Sequence, residues 1–263
     1  MKAREYGILS KHTFLIKNEY LKVGMSEKAQ RVFENALKIS IVLSAVLVAT
    51  LAFGKDRKEV LESAGSAVTT KGCVVIDAGH GGEDPGKVGI NNALEKDINL
   101  EIAKKLKLFL EQSDIRVIMT REGDAGLHDA GAASKKAQDM RRRVARIDET
   151  NPDFVVSIHQ NSYSLENISG AQVFYYAGSA KGKLLAGLIQ DSMRHRLDAS
   201  NGRQIKANDS YYLLRNVSVP IVIVESGFLS NKAEADLLTS EQYQEKIAWS
   251  IHMGIMQYIN TSR

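Results

Sequence analysis

From residue 71 onward, short β-branched apolar runs alternate with longer amphipathic stretches, and that alternation leaves few architectures open. Cys73-Val74-Val75-Ile76, Ile115-Arg116-Val117-Ile118-Met119, Phe154-Val155-Val156-Ser157-Ile158 and Ile221-Val222-Ile223-Val224 are bounded by breakers and read as buried strands. Between the first two, residues 94–110 place Leu94, Ile98, Ile102, Leu106 and Phe109 at helical spacing. The same period predicts helices over 134–150, 181–198 and 241–259. Strands alternating with helices predict an α/β domain with a mostly parallel, twisted central sheet flanked by helices. No internal repeat or low-complexity tract interrupts the pattern.

Residues before 71 are built differently. Residues 39–53 (ISIVLSAVLVATLAF) form a continuous apolar run preceded by Lys28, Arg31 and Lys38. As a helix it would span roughly 23 Å, short of the roughly 30 Å hydrocarbon core. A basic region followed by a short apolar one is the pattern of an export signal, cleaved or kept as a membrane anchor. The chain is therefore divided into a basic plus apolar signal or anchor segment (1–54), a polar linker (55–70) and an α/β domain (71–263). The expected location of that domain is across a membrane, exported or anchored.

The chain carries 35 Lys and Arg against 31 Asp and Glu, a net charge of +4. Residues 1–38 hold eight of the basic and four of the acidic residues, leaving 27 of each in the rest. The charge excess is confined to the tail, so nothing in the domain would track phosphates and nucleic acid is excluded as a partner. With one cysteine, Cys73, there is no intramolecular disulfide and no thiolate-rich metal site.

Three predicted strands run into polar groups that an ordinary turn does not need: Asp77-Ala78-Gly79-His80-Gly81-Gly82, His159-Gln160-Asn161-Ser162 and Glu225-Ser226-Gly227-Phe228. Ligands of open α/β sheets bind beyond the carboxyl ends of the strands, where these side chains would meet. Glu95 opens the helix that turns back over the same edge. Two imidazoles and a carboxylate, His80, His159 and Glu95, make the protein ligand set of a catalytic zinc with a fourth position for water. Glu225 would then serve as general base. Each residue also has a plainer reading. His80 reads as a polar turn residue, His159 as a satisfied core histidine, and Glu95 as a first-turn carboxylate on the helix dipole. Glu225, at the end of Ile-Val-Ile-Val, must be paired or carry a raised pKa.

At these residues the chain resembles the zinc-dependent N-acetylmuramoyl-L-alanine amidases, whose fold is zinc-carboxypeptidase-like. The resemblance runs from Val74 to Tyr258 and rests on IDAGHGGEDPG, LEKDINLEIA, TREGD, VSIHQNS and VESGFLSN in that order. It implies zinc on His80, Glu95 and His159, Glu225 as the catalytic glutamate, and hydrolysis of the amide joining N-acetylmuramic acid to L-alanine in peptidoglycan. RQIKANDSYYLLRN, residues 203–216, is similar to the subgroup acting on the spore cortex, where peptide removal precedes lactam formation on muramic acid. The resemblance also makes residues 71–263 the catalytic domain and places it outside the bacterial cytoplasmic membrane, facing the wall; control by an activating protein partner is a further expectation from the family.

The chain also departs from the family pattern. Asp148 stands where an asparagine is usual after Arg143, and residues 125–138 are longer and richer in Ala and Gly. His128 in that stretch is expected to be a solvated loop residue. Asn161 and Arg215 are candidate substrate contacts. His195 is expected on an exposed helix face, and Trp249, His252 and Cys73 in packing roles. Two competing functions are a zinc carboxypeptidase of the same fold and a non-catalytic wall-binding scaffold.

Overall fold

The computed structural model describes residues 70–261 and, before them, residues scattered between 26 and 41. By internal contacts the chain divides into residues Met1–Val68 and Thr69–Arg263. In the first unit the described residues from 28 to 41 are helical apart from those left out between them. The apolar run of residues 39–53 lies outside the described residues except for Ser40 and Ile41, and no described helix is long and apolar enough to cross a membrane.

The second unit runs β1 (Cys73–Ala78), α1 (Glu95–Glu111), β2 (Arg116–Met119), α2 (Lys135–Thr150), β3 (Phe154–Asn161), β4 (Gln172–Tyr175), α3 (Ala180–Arg196), β5 (Lys206–Ala207), α4 (Tyr212–Asn216), β6 (Ile221–Phe228), α5 (Lys232–Leu238) and α6 (Glu241–Thr261). The strands form one mixed sheet in the order β2-β1-β3-β6-β4-β5. Every neighbouring pair is parallel except β6 with β4. The four expected strands and four expected helices are present, and β4, β5, α4 and α5 are additional.

Strand alternation sorts the core into two layers. Val74, Ile76, Val156, Ile158, Val222 and Val224 pack with α1, α3 and α6. Val75, Val155, Ile221 and Ile223 face the other way with Ile147 of α2 and Leu213 and Leu214 of α4. By the same period Asp77, Ser157, His159 and Glu225 belong to this second face. There the short α4 leaves the carboxyl ends of β1, β3 and β6 beside an open cleft.

Candidate metal centre

The sheet register builds the site. Asp77 lies opposite Ser157 and His159 opposite Glu225, so β1, β3 and β6 bring their polar ends to one level. Beyond β1 the backbone turns sharply: His80 has φ +64, in the left-handed region that L residues rarely adopt. Gly79 is required there, because a Cβ at this position would lie 2.3 Å from the His159 ring.

Glu95, the first residue of α1, is 2% exposed and sits between the two imidazoles. Its Oε1 is 2.9 Å from His159 Nδ1, and its Oε2 is 3.2 Å from His80 Nε2. The rings lie edge-on with centroids 5.0 Å apart. The donor atoms of His80, Glu95 and His159 all lie within 4.8 Å of one another, close enough to hold one metal ion.

Backbone and side-chain groups hold this cluster in place. Lys87 N and Gln160 N donate to the two Glu95 oxygens at 2.8 and 3.1 Å. Asn99, one helical turn along α1, donates to Gly79 O at 3.2 Å and to Glu95 Oε1 at 3.4 Å. His80 Nδ1 faces Asp84 Oδ2 at 2.8 Å, a contact that leaves Nε2 for the cluster. Burial would raise the Glu95 carboxyl, but the hydrogen bonds from His159 and His80 overcome it and hold it far below the usual range. Burial would lower His159, and its bond to Glu95 raises it instead.

Glu225 stands apart from this web. It is 7% exposed, and its Oε2 has no hydrogen-bond partner. Burial pushes its carboxyl up to about 7; the charge on His159 opposes the shift and that on Glu95 adds to it. Donors of imidazole and carboxylate type suit zinc or another divalent ion, and an orphaned carboxyl beside them is what an incoming water or substrate would satisfy.

Beneath the cluster lies a second polar network. Arg143 from α2 is 2% exposed. It donates to Asp77 Oδ1 at 2.7 Å, Asp139 Oδ2 at 2.6 Å, Ala78 O at 2.9 Å and His80 O at 2.6 Å. Thr120 and Ser157 complete the Asp77 carboxylate at 2.7 and 2.6 Å. Arg121 braces the Ala78 and Gly79 carbonyls at 2.9 and 3.0 Å. Asp148, the departure from the family pattern, accepts from Ser218 at 3.0 Å.

A cleft of about 760 Å³ opens over the cluster and Glu225. Asn161 lines it, whereas Arg215 is exposed in the last turn of α4 and is not among the lining residues. His128 is the part-exposed loop residue that was expected, and it lines the cleft too. Tyr211 also lines it, its hydroxyl raised by burial and then by the charges of Glu225 and Glu95. His195 is exposed, and His252 is buried with Nε2 2.9 Å from Ser113 Oγ, both in keeping with packing or surface roles. Asp84, Asn99 and Gln160 went unnoticed in the sequence. The available signals were the four-residue spacings His80–Asp84 and Glu95–Asn99.

Comparison with known proteins agrees with this geometry. Residues 74–257 match the family model described as N-acetylmuramoyl-L-alanine amidase. A germination-specific N-acetylmuramoyl-L-alanine amidase of Bacillus subtilis is 41% identical over 188 residues, 70% of this chain and 78% of that protein. The CwlD amidase of Clostridioides difficile, solved in complex with the GerS lipoprotein, matches with 39% identity and a TM-score of 0.70, covering 72% of this chain and 99% of that one. The amidase AmiC2 of Nostoc punctiforme matches with 31% identity and a TM-score of 0.63, covering 72% of this chain and 98% of that one.

Proposed function

The chain belongs to the N-acetylmuramoyl-L-alanine amidase family, and on that footing we propose that it is a zinc amidase of the spore cortex. It is a cell-wall hydrolase, and the bond it cleaves is the amide between N-acetylmuramic acid and L-alanine in peptidoglycan. The proposal adds the metal, the residue roles and the setting.

One observation carries the roles: the donor atoms of His80, Glu95 and His159 gather within 4.8 Å, with an unpartnered, buried Glu225 oxygen across the strand pair. His80, Glu95 and His159 are the zinc ligands. Zinc held there supplies a Lewis acid for the amide carbonyl and eases ionisation of water. Glu225 does the proton work. Its Oε2 takes the proton of the attacking water and returns it to the leaving nitrogen of L-alanine, so one peptide amine and one lactyl carboxyl are formed. A carboxyl pushed up to about 7 suits a group that must both accept and release a proton near neutral pH. Asn161, on the cleft wall, is assigned to substrate contact.

The germination-specific relative supports the spore-cortex setting, where stem-peptide removal would prepare muramic acid for lactam formation. The order of motifs supports a zinc-carboxypeptidase-like fold. The complex of the related CwlD with a lipoprotein supports an activating protein partner for this chain. The basic and apolar segment of residues 1–54 is assigned to export or membrane anchoring, and residues 71–263 to catalysis.

Digestion of purified wall followed by mass spectrometry, with zinc content measured in parallel, tests the reading. Release of whole stem peptides by zinc-loaded protein is the expected result. Loss of a single terminal residue from each peptide would replace the amidase with a carboxypeptidase.

A further inference from the structure

Residues 125–138, one of the departures from the family pattern, contribute His128, Lys135 and Lys136 to the cleft. The stretch is tied down at several points. Leu127 N donates to Asp139 Oδ1 at 2.6 Å, and Asp129 N to Gln138 Oε1 at 2.8 Å. Arg142 donates to Leu127 O at 2.8 Å and to both Asp129 oxygens at 2.7 Å. Between these anchors His128 folds over Gly126, where a Cβ would meet its ring at 2.6 Å, and faces the cleft. Lys135 and Lys136 of the first turn of α2 line the cleft beside it.

Not every cation on this rim is in a direct ion pair. Lys135 is paired with Glu83 at 2.6 Å. Lys136 is exposed, and among the described residues no carboxylate lies within ion-pair distance of it. Lys87, also exposed and lining the cleft, is in the same position. Its backbone is fixed on both sides of Glu95, donating to Oε2 at 2.8 Å and accepting from the Glu95 amide at 3.0 Å. Of the cleft's carboxylates, Asp77 and Asp139 pair with Arg143, Glu83 with Lys135, Glu95 with both histidines, and Asp84 with His80 while feeling the charge of Lys136; Glu225 alone keeps a buried oxygen without a partner. Two ammonium groups and an imidazole therefore face the cleft with hydrogen-bond donors to spare. The α2 end also carries lysines and no acid in its first turn, the reverse of what the helix dipole favours.

We infer that His128 and Lys136, with Lys87 nearer the metal cluster, form a carboxylate-recognition rim that selects stem peptides bearing free carboxylates. The inference rests on the amidase reading and names the part of the substrate the rim takes. A stem peptide joined to muramic acid through its amino end presents its own terminal carboxylate, and any acidic side chains, to the cleft. Each charge-assisted bond in a partly enclosed cleft is a meaningful fraction of substrate affinity. His128 and Lys136 make no bond to His80, Glu95, His159 or Glu225, so they set substrate preference and leave those groups untouched.

The test compares two synthetic muropeptides, identical except that one has free carboxylates and the other has them amidated. Wild-type protein is expected to favour the free-carboxylate substrate about ten-fold in kcat/KM, mainly through KM. In the double variant H128Q/K136Q that preference falls toward one, and K87Q alone lowers it in part. A wild type without preference, or a double variant that keeps it in full, overturns the inference. Release of stem peptide from neither substrate by wild-type protein would sink the amidase reading, and this inference with it. Cleavage of both with no preference sinks only the rim.

Discussion

Asp77 and Glu225 are buried carboxyls on the same face of the sheet, one pairing with Ser157 and the other with His159 two residues farther along β3. Around Asp77 every oxygen is used. Arg143, Thr120 and Ser157 converge on it, and although burial would raise its pKa, Arg143 and the hydroxyls hold it at about 2. Around Glu225 one oxygen has no partner, and burial lifts the carboxyl to about 7. The two were free to be built alike, and they are not. A polar cluster that closes on itself holds backbone in place, here the Ala78 and His80 carbonyls at the mouth of the site. A cluster left one bond short has its missing partner arriving from outside.

The difference is sharpened most strongly by removing a ligand. In His159→Ala the proposed metal-binding set loses one of its three groups. Zinc affinity is expected to fall by more than the roughly 100-fold that outer partners typically control. Elemental analysis after dialysis reads this directly, and wild-type zinc content in the variant would undo the ligand assignment.

Next in size is Glu225→Gln. Its kcat is expected to fall about 10²- to 10⁴-fold, the range of a general base, with zinc retained. Because the native carboxyl lacks a partner, its loss leaves the melting temperature at or above the wild-type value. A variant that stays active removes Glu225 from the mechanism. One that melts well below wild type would mean that the Glu225 cluster is a structural frame like that of Asp77.

Asp77→Ala is the converse. It strands part of a buried guanidinium and is expected to cost about 3–5 kcal/mol by denaturant unfolding. The folded fraction should still bind zinc, since Asp77 touches none of the three ligand side chains. Loss of stability below about 1 kcal/mol would show that Asp139 alone satisfies Arg143.

These contrasts also explain what could be read from the sequence. The strands with unbroken Val and Ile runs announced themselves, because strands buried on both faces need such runs. β4 did not: Gln172-Val173-Phe174-Tyr175 is four residues long, antiparallel to β6 on one side and parallel to the two-residue β5 on the other. The four residues His80, Glu95, His159 and Glu225 were legible as strand-end or helix-start polar groups, and the motif order singled them out. Their supports were harder to see, because Asp84, Asn99 and Gln160 look like ordinary loop, helix and strand residues until register places them against Glu95 and His80. His128 is a loop residue as expected, but its place on the cleft was not legible, because it depends on long-range bonds from the Leu127 and Asp129 amides to Asp139 and Gln138 and from Arg142 to Leu127.

The smallest expected effect concerns acid. A carboxyl whose folded pKa lies below its ordinary value contributes stability that is complete above the ordinary value and is lost as pH falls through the folded one. For Asp77 the window runs from its ordinary 3.8 down to about 2, and the stability at stake is about 2 kcal/mol. Urea midpoints measured across that range should therefore fall more steeply for wild-type protein than for Asp77→Asn, whose amide does not titrate. The variant starts lower at neutral pH, so the two curves converge toward pH 2. Parallel curves would mean that Arg143 and its hydroxyl partners hold a protonated Asp77 as well as an ionised one. The closed network would then owe its strength to hydrogen-bond geometry and little to charge.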